Sequence, residues 1–300
     1  MNLRHRQRPS SKVNFHQIWV LATAGFLLAP QSQASLIGFW NFDQTSGTTA
    51  LDSSGSGING TLSSTGAVFD PGAGLDGGGA VSLSSGGYVD MGNNYAFSGT
   101  QSFTVQAWID TTSQGVVASR TYSQNQDGYF TGVDVIDPSC VVSSSYTNKA
   151  SVGVGNGNAG CSLFGPPSTT VVNDGQWHQI VVTSGGGTLS LYVDGALQGS
   201  VAGVNIQSCP TVDFLVGGIE AGTSGPGGSS VCGVGTPFGF FSGLITDVAV
   251  WNDTLNASQV ETLFQNPNNA SAAESPEPAT FGLLLAGLGG LFVVRRRTLK

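Results

Sequence analysis

The chain has 300 residues, of which 9% are charged, with 18 acidic side chains against 10 basic ones. Between residues 35 and 275 the imbalance sharpens: fourteen aspartates and three glutamates meet only Arg120 and Lys149. A protein that neutralises phosphates needs a basic face, so this interior excludes nucleic acid and anionic lipid as partners.

The N-terminus carries Arg4, Arg6, Arg8 and Lys12, then an apolar core from Ile18 to Ala29, then Ser32-Gln33-Ala34. Cationic start, apolar core and small-residue site together predict a secretory signal peptide over residues 1–34. Beyond residue 35 the patterning predicts strands. Leu36 to Phe42 alternates as a first strand, and Asn59-Gly60-Thr61-Leu62 leads out of a polar loop at Asp52-Ser53-Ser54-Gly55. Short strands are expected at 80–83 and 88–91. Ser102 to Ile109 has period two, with Phe103, Val105, Ala107 and Ile109 on one face and Trp108 on the other. Further strands fall at 116–119, 128–135, 176–183, 188–197, 214–218 and 241–251. Asp76-Gly77, Asp127-Gly128, Asp174-Gly175, Asp194-Gly195, Asn59-Gly60 and Asn156-Gly157 are turn signals between them. Only 256–264 reads as helix, with Ser258 as its expected cap.

Many short strands, 45 glycines and few helix formers predict an all-β domain, a sandwich or barrel, over residues 35–265. Residues 266–275 form a linker. The cysteines, Cys140, Cys161, Cys209 and Cys232, are even in number and lie in the exported part, which predicts two disulfides. Three connectivities are open. Cys140–Cys161 with Cys209–Cys232 is preferred, because each link closes one Gly/Ser-rich excursion. Zinc is disfavoured: there is no C-x-x-C, and His178 is the single histidine in the domain. His178 sits beside Trp177 at the start of a strand and reads as structural.

The order of Trp40-Asn41-Phe42-Asp43, Asp52-Ser53-Ser54-Gly55, Phe103 to Trp108, Trp177-His178, Leu191-Tyr192-Val193-Asp194-Gly195 and Gly243 to Val248 resembles the LamG-like jelly-roll domain of the concanavalin A-like lectin/glucanase superfamily. The resemblance spans about residues 36–265 and implies two packed antiparallel sheets. Two stretches depart from it, 134–167 and 218–237; they hold the cysteines and read as loop insertions. It also places a carboxylate, Asp247, near the last strand. Asp43, Asp52 and Asp247, with Asn59 assisting, are therefore the candidate ligands of a Ca²⁺ ion, which takes six to eight oxygens. For carbohydrate, the candidate stacking aromatics are Tyr122, Tyr129, Tyr146 and Phe164, all in or near loops. No catalytic residue is assigned. A retaining or inverting glycosidase needs two carboxylates about 5 to 9.5 Å apart, and neither Glu-x-Asp nor Asp-x-Glu occurs on a strand here. Carboxylates converging from separate strands would be the route to a hydrolase.

The C-terminus reads Ser275-Pro276-Glu277-Pro278, a 16-residue apolar run over 279–294, then Arg295-Arg296-Arg297. As a helix the run reaches about 24 Å at roughly 1.5 Å per residue, short of the roughly 20 residues a transmembrane helix needs. The arginines hold its end on the cytoplasmic side. This layout resembles the PEP-CTERM sorting signal of Gram-negative, biofilm-forming bacteria; an ordinary C-terminal anchor is the plainer alternative. The resemblance implies transient insertion in the inner membrane, removal of the tail by an exosortase-type protease, and delivery to the cell surface or exopolysaccharide matrix. A non-catalytic protein binding polysaccharide or an extracellular protein partner is the function expected. A glycan hydrolase or a ligand-free structural matrix protein is the rival.

Overall fold

A computed structural model describes residues 34–121, 127–135, 146–156, 163–220, 223–224, 230–231 and 235–274. The signal peptide up to residue 33, the linker's last residue, the sorting tail, Tyr122, Cys140, Cys161 and Cys232 lie outside these. Among the described residues no helix is long and apolar enough to cross a membrane.

The strands, numbered in chain order, form two antiparallel sheets. The first runs β14 (Ala196–Ala202), β13 (Thr188–Val193), β12 (Trp177–Gly185), β7 (Phe103–Asp110), β18 (Gly243–Trp251), β5 (Ala80–Leu83) and β4 (Ala67–Asp70), and β1 (Leu36–Trp40) also pairs with β18. The second runs β11 (Leu163–Phe164), β10 (Ala150–Asn156), β9 (Asp127–Val133), β8 (Gly115–Thr121), β15 (Leu215–Val216), β6 (Val89–Asp90), β3 (Gly60–Leu62) and β2 (Thr49–Ala50). A separate ribbon pairs β16 (Thr223–Ser224) with β17 (Ser230–Val231).

The alternation of β7 decides which faces meet. Phe103, Val105, Ala107 and Ile109 point into the space between the sheets, beside Ile180 and Val182 of β12 and Val248 and Val250 of β18. From the second sheet come Val89, Val117, Tyr129, Val152 and Val216. Rings fill one end of this core: Phe97 stacks on Phe103 at 4.5 Å, Tyr129 lies 4.7 Å from Phe103, and Tyr95 meets Phe214 at 5.3 Å. Edge and offset ring contacts of this kind add to the area they bury.

The other face of the first sheet is also covered. Phe39, Val181, Ala249 and Trp251 form a second apolar cluster with Val260 and Leu263 of the helix α1 (Ala257–Gln265) and with Ala270 and Ala273. Trp108 stacks on Phe264 at 5.7 Å. The helix starts earlier than a cap at Ser258 would allow. Asn256 is its cap: its side chain accepts from Gln259 N, and Gln259 Oε1 accepts from Asn256 N, both at 3.0 Å. This reciprocal pairing satisfies two amides that a helix start leaves open.

Two turn signals behave differently. Asp194 and Gly195 both take positive φ, 51° and 76°, as a two-residue hairpin turn requires. Asp127-Gly128 instead opens β9, where Gly128, at φ 92°, lies so close to the Arg120 carbonyl that a Cβ would fall 1.8 Å from it. Cys209, buried beside Val212, is disulfide-bonded. Its partner and the expected pairing lie outside the described residues.

His178 ties the Asp194 turn to the start of β12. Its Nδ1 meets Asp194 Oδ2 at 2.8 Å and its Nε2 meets Asp174 Oδ1 at 3.2 Å, while Gln179 N donates to Asp194 Oδ1. This is the structural role expected of it. The hydrogen bond to Asp194 raises its pKa above 6.5, against the opposing effect of burial. A cation favoured only in the folded state stabilises fully below the unfolded pKa, and this contribution fades as pH rises through the raised one. Melting curves should therefore show wild type losing stability above about pH 6.5, with a flatter profile for His178→Gln. Because the carboxylates are partly exposed, the gap should not exceed about 1 kcal/mol.

Candidate functional site

The last strand carries a defect at the place where the carboxylate was expected. Along β18 the pairing with β7 jumps from Thr246↔Trp108 to Ala249↔Gln106, so β18 has one residue more than its partner. Asp247 sits in this bulge with φ 49°, a conformation that aspartate tolerates better than most residues. Its side chain is 1% exposed, and neither carboxylate oxygen has a hydrogen-bond partner. The neighbouring Thr246 favours the anion, but only in part, because its hydroxyl sits on the carbonyls of Asn41 and Gly79, at 3.0 and 2.8 Å. Burial, with the charge of Asp43 added, pushes the Asp247 pKa up to about 7.

The facing segment comes from the residues after β1. Asp43 Oδ1 accepts from Gly79 N at 2.7 Å, and Asn41 Nδ2 donates to its other oxygen. Gly79 is packed so tightly on this segment that a Cβ would stand 2.3 Å from the Phe42 carbonyl oxygen. Next in the chain, Gln44 Oε1 is buried and without a partner. Both Asp43 oxygens accept hydrogen bonds, so the unsatisfied oxygens here are those of Asp247 and Gln44 Oε1, the kind of oxygen that a hard cation takes. Among the described residues no group of three or more His, Cys, Asp or Glu could hold a metal ion, so a cation here would have to draw on carbonyl and amide oxygens as well.

Asp52 and Asn59 do not share this arrangement. Asp52 Oδ1 accepts from the amides of Phe39 and Ser54, and Oδ2 from the Ser54 hydroxyl and the amides of Gly57 and Ile58. Asn59 Oδ1 accepts from Asp52 N at 2.9 Å. These side chains are spent on folding their own loop. The structure thus brings Asp43 and Asp247 together and gives Asp52 and Asn59 a different task.

The aromatic expectation is corrected by burial. Tyr129 is in the core, its hydroxyl donating to the Tyr95 carbonyl at 3.0 Å. Tyr146 is buried too and donates to the Gly165 carbonyl at 2.8 Å. Both rings fill space inside the protein, and neither can stack on a sugar. Phe164 is half-buried, edge-on to Phe130 at 5.5 Å and to Tyr146 at 6.1 Å.

A second locus escaped sequence reasoning. Asp90 on β6 pairs across to Leu215 of β15, and Asp213 and Glu220 flank β15 on either side. Burial, with the charge of Asp90 added, raises the pKa of Asp213. Burial and both neighbouring carboxylates push Glu220 up to about 7, although its Oε2 accepts from Asp213 N at 3.2 Å. Beside them Tyr88 stacks on Phe240 at 6.2 Å, and Phe238 is 41% exposed. Arg120 is nearby but buried, donating to Asn93 Oδ1, Ser208 Oγ and the carbonyls of Asn94 and Cys209 rather than to a carboxylate. A carboxyl with a raised pKa beside other carboxylates is the arrangement of an acid–base pair, but Glu220 is only 4% exposed. The one sequence signal was Glu220 itself, a rare glutamate in a glycine-rich stretch just after a strand.

Comparison with known proteins agrees with this architecture. Residues 83–261, more than half of the chain, match the concanavalin A-like lectin/glucanases superfamily, and residues 276–297 match the PEP-CTERM protein-sorting motif. PEP-CTERM signals are processed by exosortase and mark proteins sorted to the cell envelope or beyond it. Two curated relatives, the sushi, von Willebrand factor type A, EGF and pentraxin domain-containing protein 1 of Rattus norvegicus and of Mus musculus, are 33% identical over 118 residues. That stretch is 38% of this chain, which spans about 3% of their length. Among solved structures, the binding domain of Paraclostridial Mosquitocidal Protein 1 is similar at TM-score 0.51 and 14% identity, over 77% of this chain and 52% of that one. Domain 4 of AbnA, an extracellular arabinanase from Geobacillus stearothermophilus, aligns at 0.48 and 18%, over 78% of this chain and 100% of that one. With its two antiparallel sheets, jelly-roll order and matched core, the chain belongs to the concanavalin A-like lectin/glucanase superfamily.

Proposed function

We propose that this chain is an exported, non-catalytic surface or matrix protein whose sandwich holds a Ca²⁺ ion and binds polysaccharide. The observation that carries the reading is Asp247: among the described residues it is the one buried carboxylate without a hydrogen-bond partner, and the charge of Asp43 acts on it. A buried anion without a partner is costly, and a bound cation would remove that cost. Asp43 and Asp247 would supply charge, and the carbonyls near Gly79 would supply neutral oxygens. The cation would supply fixed positive charge at the junction of the segment after β1 with β18, holding the loops at that end of the sandwich. The acidic, lysine-poor surface suits neutral or basic glycans and leaves export compatible with a calcium-containing exterior.

Calcium at about 100 times its Kd should raise the melting temperature by roughly 5–10 °C. Asp247→Asn should abolish this shift, and magnesium should reproduce little of it. Equal melting in calcium and in EDTA would remove the cation from the reading. With calcium present, a glycan array should return a defined set of neutral or basic polysaccharides. A flat array would favour a structural matrix component without a ligand.

The second reading, a glycan hydrolase, is favoured by one arrangement: buried Glu220 accepts from the Asp213 amide, and burial with the charges of Asp213 and Asp90 raises its pKa to about 7. Reducing-sugar release from matrix polysaccharides separates the two. No turnover is expected. Turnover abolished by Glu220→Gln would make the acidic locus an active site and overturn the binding reading.

The ends of the chain enter the proposal through the sorting motif. Mature protein from the native host should begin near Ser35 and end near Pro276-Glu277-Pro278, by intact mass. Changing Arg295, Arg296 and Arg297 to glutamine should leave export intact and impair tail removal. A mature species retaining residues 279–300 would instead identify a plain membrane anchor.

A further inference from the structure

A bulge leaves its extra residue outside the ladder, so the backbone groups of that residue need other partners. The carbonyl oxygen of Asp247 finds one in a side chain. Gln106, on β7 and 3% exposed, donates from Nε2 to Asp247 O at 3.3 Å. Gln106 is itself held. Gln179 of β12, fully buried, donates from Nε2 to Gln106 Oε1 at 2.9 Å, and the amide of Gly195 donates to Gln179 Oε1 at 3.2 Å. The two amides thus form a line across three strands, lying in a sheet whose faces are both covered by apolar side chains. An isolated glutamine there would be costly. A line in which each amide orients the next is stable, and it ends on the backbone of the residue that presents the orphan carboxylate.

We infer that Gln106 is the positioning residue of the Asp43–Asp247 cation site, fixing the Asp247 peptide in the bulge from which its carboxylate is presented. This rests on the cation reading above. Gln106 touches no cation. It acts through the Asp247 peptide, which without it would be free to relax out of its positive-φ conformation. Gln179 is the control. It is buried on the same face and belongs to the same line, yet it does not touch Asp247.

The test uses the exported domain of the full chain, purified with its disulfides intact. Ca²⁺ alone is titrated by calorimetry against wild type, Gln106→Met, Gln106→Glu and Gln179→Met, and each is also melted in EDTA. Gln106→Met and Gln179→Met each leave a buried amide group short of a partner, so both should melt earlier in EDTA. Only Gln106→Met should weaken calcium binding, by about 10- to 100-fold, the range for residues that orient metal ligands. Gln106→Glu keeps the side chain's size and an oxygen for Gln179 to donate to, and serves if the methionine variant fails to fold. Its added negative charge would favour a cation, so weaker binding there also supports positioning. Wild-type calcium binding with unchanged affinity in the Gln106 variants overturns the inference and leaves the cation reading standing. Equal losses in Gln106→Met and Gln179→Met would mean general loosening and also overturn it. Absence of calcium binding by wild type overturns both.

Discussion

The rest of the structure depends on the pairing of β18. It is bonded to β7 along most of its length, to β5 at its start and to β1 at its end. Residues far apart in the chain are joined there, Leu36 with Trp251 and Leu83 with Gly243. Such long-range pairing gives no return until the loops between are closed. Once formed, it seals the first sheet between the inner core and the layer of α1, so β18 is buried from Ile245 to Trp251. Every polar group on this strand must then be satisfied from within the protein. The Gln106–Gln179 line answers that demand for the Asp247 carbonyl, and the Thr246 hydroxyl satisfies itself on the carbonyls of Asn41 and Gly79. The Asp247 carboxylate and the Trp251 indole N–H are the groups left out.

Negative charge is the second organising fact. With so few cations in the domain, carboxylates cannot be paired with lysine or arginine. They are handled by three other means. Some are wrapped in amides, as Asp52 is by its own loop, where burial is outweighed by hydrogen bonds that lower its pKa. Some share a histidine, as Asp174 and Asp194 do. Others are left buried with a raised pKa, as Asp247 is near Asp43 and as Glu220 is near Asp213 and Asp90. Perturbed carboxylates of this last kind mark functional sites more often than chance. The two loci differ in accessibility to chemistry. At Asp247 the oxygens lack partners, whereas at Glu220 an amide already occupies one of them.

Periodicity in the sequence was sufficient for the architecture. The alternation of Phe103 to Ile109 determines which side of β7 faces the second sheet, because a strand's side chains can only alternate. Glycine after aspartate determined the Asp194 turn, since both residues there need positive φ. Asp43 and Asp247 were legible as a candidate pair only through a family resemblance. What decided between them and Asp52 was tertiary. Asp52 is enclosed by the donors of its own loop and of β1 while the Asp247 oxygens meet none, and that depends on how the loop from 52 to 59 folds on β1. The exposure of Tyr129 and Tyr146 was likewise undecidable from local sequence, because loops that look polar can still deliver a ring into the core. The bulge at Asp247, the glutamine line that supports it and the meeting of Asp90, Asp213 and Glu220 all arise between strands distant in the chain. Their register is set by the packing of whole sheets, and no local pattern encodes it.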